Sequence, residues 1–234
     1  MNTDIHSFAV ALANNWEHGK QELLNGTFDT YFGKDDPERA EFYQKIKEAL
    51  LAEPTDIDVI FLDFLYQLDP SLSGFYKKGK FYESFSAFGK EMLEMLYVKD
   101  DSDQLFWNGM LRQHILTKHM ERLFGHTENL QKAEYLESLL TEENEDDHSL
   151  LLRNYLMAYL IADDIFFRVE DQKIRTVTEL TQYMKNLLDQ SYEALEDFCH
   201  TLVDYNDVLD AQLEAFLIAL GKQNELLVWR EGLS

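Results

Sequence analysis

Apolar residues recur at helical spacing along most of the chain. Phe42, Ile46 and Leu50 line one face of a helix that Pro54 must end. Leu130, Ala133, Leu136 and Leu140 follow at intervals of three and four, and Leu213, Phe216, Leu217 and Leu220 do so again. Two further helices, 56–68 and 148–162, are apolar for most of their length. Glycine punctuates this pattern at Gly33, Gly125 and Gly221, where a helix C′ position accepts the left-handed backbone. Asp36-Pro37 and Thr127 then supply caps for the helix that follows. The phrase is thus a helix–glycine–helix corner, written three times: FGKDDPERAEFYQKI, FGHTENLQKAEYLESL and LGKQNELLVWREGL.

The corners are evenly spaced, at 125 − 33 = 92 and 221 − 125 = 96 residues. At an offset of 92, Ser84 falls on Thr176, Phe88 on Leu180, Met92 on Met184, Met95 on Leu187 and Leu96 on Leu188. Phe106 falls on Phe198, Met110 on Leu202, Leu65 on Met157 and Leu68 on Leu160. Apolar and capping positions agree while the polar residues between them differ, which is the mark of a repeated core. The pattern predicts an all-α fold of tandem helical units of about 92–96 residues, in roughly two and a half copies (1–80, 81–172 and 173–234), packed as one elongated domain over 1–234. Each unit opens with a capped helix (84–98; 176–188), Thr176 and Glu179 forming a capping box. A longer helix follows (102–124; 191–220), and apolar positions 195, 198, 202, 209, 213, 216 and 220 predict that the second of these is unbroken. Segments 74–84 and 165–176 flank a polar turn with apolar residues and predict short β-hairpins.

The spaced apolar, Gly and Trp positions of Trp16 with GKQELLNGTFDTYFG, of YQLDPSLSG, of VTELTQYM and of the closing LIALGKQNELLVWREGL resemble tandem helical segments of bacterial proteins. Such segments stand beside heat-shock-type chaperone or serine/threonine kinase modules, in regions without assigned activity. The resemblance brings no catalytic residue with it, and the chain has neither a P-loop nor a kinase signature.

Composition narrows the function classes. Hydrophobic residues at 45% and aromatics at 13% support a packed core, and three prolines and ten glycines leave room for long helices. Forty-four acidic against 21 basic residues give a net charge of −23, which repels nucleic acid and anionic membrane, favours solubility, reads first as a solvated surface, and leaves a basic partner or a mimic of nucleic acid open. No stretch is apolar for long enough to span a bilayer, and the N-terminus lacks the basic start and long apolar run of a signal peptide, so the expectation is cytoplasmic. The lone Cys199 excludes an intramolecular disulfide and reads as core.

Candidate chemistry is sparse. EENEDDH, Glu142 to His148, has the oxygen-rich makeup of a hard-cation loop without the spacing of an EF loop, and reads as a solvated linker. Glu145 with His148 and Asp197 with His200 have the Glu-x-x-His spacing of helical di-metal sites, at a frequency that acidic composition alone produces. Arg112 and His119, in RQHILTKH, resemble the arginine–histidine motif of a helical RNase superfamily, although the net charge opposes an approach to RNA. Cys199-His200 diverge on a helix, Ser71-Leu72-Ser73-Gly74 is no nucleophile elbow, and Lys77, Lys78 and Lys80 read as turn residues. Trp16, Trp107 and Trp229 are core or interface anchors. The expectation is a non-catalytic protein-interaction or regulatory module with no cofactor, no metal and a protein partner. The alternatives are an acidic nucleic-acid mimic and a helical RNase using Arg112 and His119.

Overall fold

The structure, a computed structural model, describes residues 5–29, 37–52, 57–98, 101–125, 127–138, 147–202, 208–225 and 228. It is mostly helical, with two small antiparallel sheets. In chain order the elements are α1 (Ile5–Asn14), α2 (Trp16–Leu24), α3 (Pro37–Ala52), α4 (Ile57–Leu68), β1 (Phe75–Lys77), β2 (Lys80–Tyr82) and α5 (Phe85–Val98). They continue with α6 (Asp101–Arg112), α7 (Ile115–Phe124), α8 (Glu128–Ser138), α9 (Asp147–Ala162), β3 (Phe167–Val169) and β4 (Gln172–Ile174). The chain then forms α10 (Val177–Gln190), α11 (Tyr192–Thr201) and α12 (Val208–Ala219).

Both predicted hairpins are present, and their registers match. Phe75 pairs with Tyr82 in the first and Phe167 with Ile174 in the second, so both ends are displaced by 92 residues (167 − 75 and 174 − 82). Lys78 and Glu170, also 92 apart, take the positive φ of the turn at 48° and 53°. The helices that follow start at Phe85 and Val177, again 92 apart. Thr176 Oγ1 accepts from the Glu179 N–H (3.1 Å), and Glu179 Oε2 accepts from the Arg175 N–H (2.6 Å). The capping box therefore closes one residue upstream of the cap itself.

Two long helices differ from expectation. The 102–124 helix breaks at His114, whose φ of 55° places it in the left-handed region. Histidine is among the residues that tolerate this region, and apolar spacing alone does not register the break. Of the predicted 191–220 helix the structure describes two helices, α11, capped at Leu202, and α12; residues 203–207 between them lie outside the described residues. The glycine corners are built in different ways. Gly221 has φ 68° and a Schellman closure, with Lys222 N–H donating to the Leu217 carbonyl and Gly221 N–H to that of Ile218. Gly125 combines φ 66° with ψ −164°, a region open to glycine almost alone. Thr127 Oγ1 then accepts from the Leu130 N–H, as a cap for α8 should. Gly33 lies outside the described residues.

The chain divides into two compact units. Unit 1 comprises Met1–Phe85 and Leu105–Leu130; unit 2 comprises Ser86–Gln104 and Gln131–Ser234. The core of unit 1 is built on α4, where Phe61, Phe64 and Leu65 are fully buried. Trp16 meets Phe61 edge-on at 4.8 Å, and Phe28 stacks on Phe64 at 5.7 Å. Trp16 Nε1 and Lys20 Nζ both donate to Asp58 Oδ1 (2.7 and 2.6 Å), tying α2 to the start of α4. Gly19 allows the close approach of these helices, since a Cβ there would lie 2.5 Å from Phe61 Cζ.

In unit 2, α9 packs along much of α12, the most extensive helix pairing there. Phe167 of the second hairpin sits against Phe216 at 6.1 Å between ring centroids. Helix α5 approaches the end of α9 so closely that a Cβ on Gly89 would meet the Ala162 nitrogen at 2.5 Å. Its outer turns hold the second hairpin through Glu94, which pairs with Arg168 and Lys173.

Candidate functional site

In unit 1 a lock forms where α4 and α7 flank the first hairpin. The Tyr66 hydroxyl donates to the Gly74 carbonyl (3.2 Å) and accepts from the Tyr76 N–H (3.2 Å). His119, on α7 and 2% exposed, sets Nε2 against the same Gly74 carbonyl at 3.1 Å. Its other nitrogen, Nδ1, faces the Arg122 guanidinium. An arginine can only donate, so Nδ1 accepts and Nε2 carries the proton. Burial, reinforced by the Arg122 charge, pushes the His119 pKa down to about 3. Arg122 in turn stacks on Tyr66 at 4.2 Å and donates to its carbonyl (3.2 Å), near the C-terminus of α4 where positive charge is favoured.

Above this lock lies a cleft of about 770 Å³. Phe42, Tyr66, Pro70 and Ile115 form its apolar walls. Its polar groups are Glu38 from α3, Asp63 and Gln67 from α4, and Lys118, His119 and Arg122 from α7. Asp63 and Gln67 are four apart on α4, as are Lys118 and Arg122 on α7, so each helix presents its pair on one face. Gln67 Nε2 donates to Asp63 Oδ2 at 2.6 Å and fixes that carboxylate. Lys118 Nζ stands 3.9 Å from the same oxygen, beyond hydrogen-bond range.

Unit 2 has a similar lock at its own hairpin. The Tyr159 hydroxyl donates to the Phe166 carbonyl. Gln212, with its amide oriented to satisfy both bonds, donates to the Arg168 carbonyl (3.3 Å) and accepts from its N–H (3.2 Å). Tyr159 stands 93 residues after Tyr66, and Gln212 stands 93 after His119. Gln212 meets Arg168, whereas His119 meets Gly74, whose hairpin counterpart is Phe166, so the two locks are similar without being identical. In unit 2 helices α9 and α12 pack on each other with His148, Asp210 and Glu214 among their polar contacts.

The chain matches no protein-family model, no curated protein and no solved structure. Its site is described by its own geometry alone.

The residues singled out from sequence are mostly placed apart from the cleft. Arg112 is exposed at the end of α6, does not line the cleft that His119 borders, and is divided from His119 by the break at His114. Glu145 lies outside the described residues, as do Glu142 and Trp229. His148 lies between two carboxylates of α12: Nδ1 is 3.3 Å from Asp210 and Nε2 is 3.1 Å from Glu214. These meet opposite sides of the ring and do not converge as a donor set. Asp197 and His200 are exposed on α11, and no group of three metal-donor side chains occurs among the described residues. Cys199 is buried, and burial raises its pKa, the opposite of an activated thiol. Ser71 Oγ donates to Asp69 at 2.6 Å. Lys78 and Lys80 lie over the rings of Phe106 and Tyr82, and Lys77 is buried. Trp16 and Trp107 are core residues, 4% and 0% exposed.

A second feature belongs to unit 2. Helices α10 and α11 pack side by side, Tyr183 meeting Phe198 edge-on at 5.2 Å. The pair stays open elsewhere: Leu188 is 49% and Tyr192 71% exposed, and Met184, Leu187, Leu195 and Phe198 are half-buried. The counterparts of Met184, Leu188 and Phe198 92 residues earlier, Met92, Leu96 and Phe106, are at most 3% exposed, while Met95, at the place of Leu187, is half-buried too. Glu179, Asp189, Glu193, Glu196 and Asp197 are exposed on these two helices, as is Lys185.

Proposed function

We propose that the protein is a non-catalytic interaction module, built by internal duplication, which holds a basic amphipathic segment of a protein partner on the α10–α11 seam. The matching hairpin registers, turn conformations and Tyr-centred locks support duplication of a helix–hairpin–helix unit. The observation that carries the functional reading is the seam itself. Met184, Leu188 and Phe198 stand open or half-open on α10 and α11 at places where Met92, Leu96 and Phe106 are buried, and both helices carry exposed carboxylates. Contiguous exposed apolar surface rimmed by polar groups marks an interaction site, and the rim sets the charge of its partner. The chemistry in unit 1 agrees with binding rather than turnover. Its histidine has both ring nitrogens engaged and stays neutral at pH 7, so it has no proton to exchange there.

The test is affinity capture from the native host with Leu188→Glu and Tyr192→Glu beside the unaltered protein. A carboxylate at either position removes apolar contact, and its charge can only add attraction for a basic segment, so a loss of partner reports the apolar contact. Recovered partners should fall about tenfold or more for each variant, as for loss of a central anchor. Equal recovery by all three proteins rejects the seam as the docking surface.

A further inference from the structure

We infer that the α4–α7 cleft of unit 1 binds a small zwitterion, an α-amino acid with an apolar side chain. The inference goes beyond the docking of a partner on unit 2 and uses none of the residues of that seam. It starts from the cleft itself. Helices α4 and α7 stand around a space of about 770 Å³, the size of a small-molecule site, with apolar walls and a small set of polar groups. Of those groups Asp63 and Arg122 are half-buried, while Glu38, Gln67 and Lys118 are exposed.

The charges select the ligand. Two carboxylates, Glu38 and Asp63, and two cations, Lys118 and Arg122, face one space with no net charge. A phosphate would meet the carboxylates, a polyamine would meet the cations, and a purely apolar ligand would desolvate all four. A ligand carrying one charge of each sign satisfies both. Asp63 is held in place by Gln67, and Lys118 stands 3.9 Å from it. An ammonium inserted on the Asp63 side and a carboxylate on the Lys118 side would convert this open pair into two charge-assisted hydrogen bonds. The guanidinium of Arg122 is already bonded to Tyr66 and His119, so it supplies field and a flat floor rather than the first contact. Phe42 and Ile115 remain for the apolar side chain.

Titration calorimetry on the purified full chain tests this, with leucine, methionine and phenylalanine as probes. Each lacks one charge in its N-acetyl or amide form, which gives the controls. At least one free amino acid should bind with a Kd of about 1 mM or tighter. Both of its blocked forms should bind about tenfold more weakly or worse, since each loses one charge-assisted hydrogen bond. Asp63→Asn and Lys118→Met should lose the same binding while keeping the circular dichroism of the parent, because neither residue belongs to the lock. Absence of binding by all three amino acids at about 10 mM overturns the inference. So does a blocked form that binds as well as the free one. Partner capture through α10–α11 is not altered by either result, so the two readings fail separately.

Discussion

Gly125 and His119 show how single residues set the local backbone. A Cβ on Gly125 would meet nothing within 4 Å, so sterics with neighbours do not require glycine there. The requirement is the backbone itself, at φ 66° and ψ −164°. Gly125→Ala should therefore destabilise the protein by roughly 1–2 kcal/mol with no change in its folded contacts. A urea midpoint unchanged from the parent would remove this assignment. His119 makes a sharper case. Its folded pKa of about 3 lies below the usual 6.5, so the unfolded chain binds the extra proton. Stability from the neutral ring is complete above pH 6.5 and is lost progressively as pH falls from there towards 3. Between pH 8 and pH 5 the loss should be about 2 kcal/mol. The many carboxylates also titrate, but they are common to parent and variant. His119→Gln, which copies the residue unit 2 uses in its own lock, should fold and should lack this component. Identical pH dependence for the two would show that His119 is not buried as a neutral ring.

Elements record how far sequence reaches. The hairpins were legible because a polar turn between apolar flanks occurs twice at one offset. The cap of α10 was legible because Thr176 and Glu179 are three apart. Thr176→Ala should cost about 1 kcal/mol and speed hydrogen exchange in the first turn of α10, leaving α12 unaffected. Uniform acceleration through both helices would instead mean that the cap governs the whole unit. The break at His114 was not legible, since Leu111, Ile115 and Met120 keep an apolar face on either side of it. The cleft was hidden for a related reason. Its chemistry comes from two i, i+4 pairs that lie 118 − 63 = 55 residues apart in sequence, and a motif search looks for neighbours. A signal did exist: Asp63 and Gln67, four apart, put two polar groups on one face of the largely apolar IDVIFLDFLYQL.

At the scale of the whole molecule, the repeat seen in the sequence and the compact units of the fold do not share boundaries. The sequence period runs from corner to corner, whereas α5 follows the hairpin of unit 1 and belongs to unit 2. On the proposed duplication, chain order keeps the repeat, while packing decides which helix meets which hairpin. Net charge also acts at this scale. At −23 it draws any basic partner in, but attraction among exposed charges has a reach of about 8 Å at physiological salt and about 3 Å at 1 M. Apolar area removed from water is not screened in this way. If Leu188, Tyr192 and the half-buried residues beside them hold the partner, charge sets the rate of encounter and apolar contact sets its lifetime. Partners captured at about 0.15 M salt should then survive a wash at about 0.5 M, where screening has already shortened the electrostatic reach. Raising the salt during capture itself should slow association while leaving dissociation nearly unchanged. Complete elution in the wash, of proteins that free DNA or RNA also displaces, would mean that charge alone holds them. The acidic surface would then be a nucleic-acid mimic, and the open seam would not be its docking site.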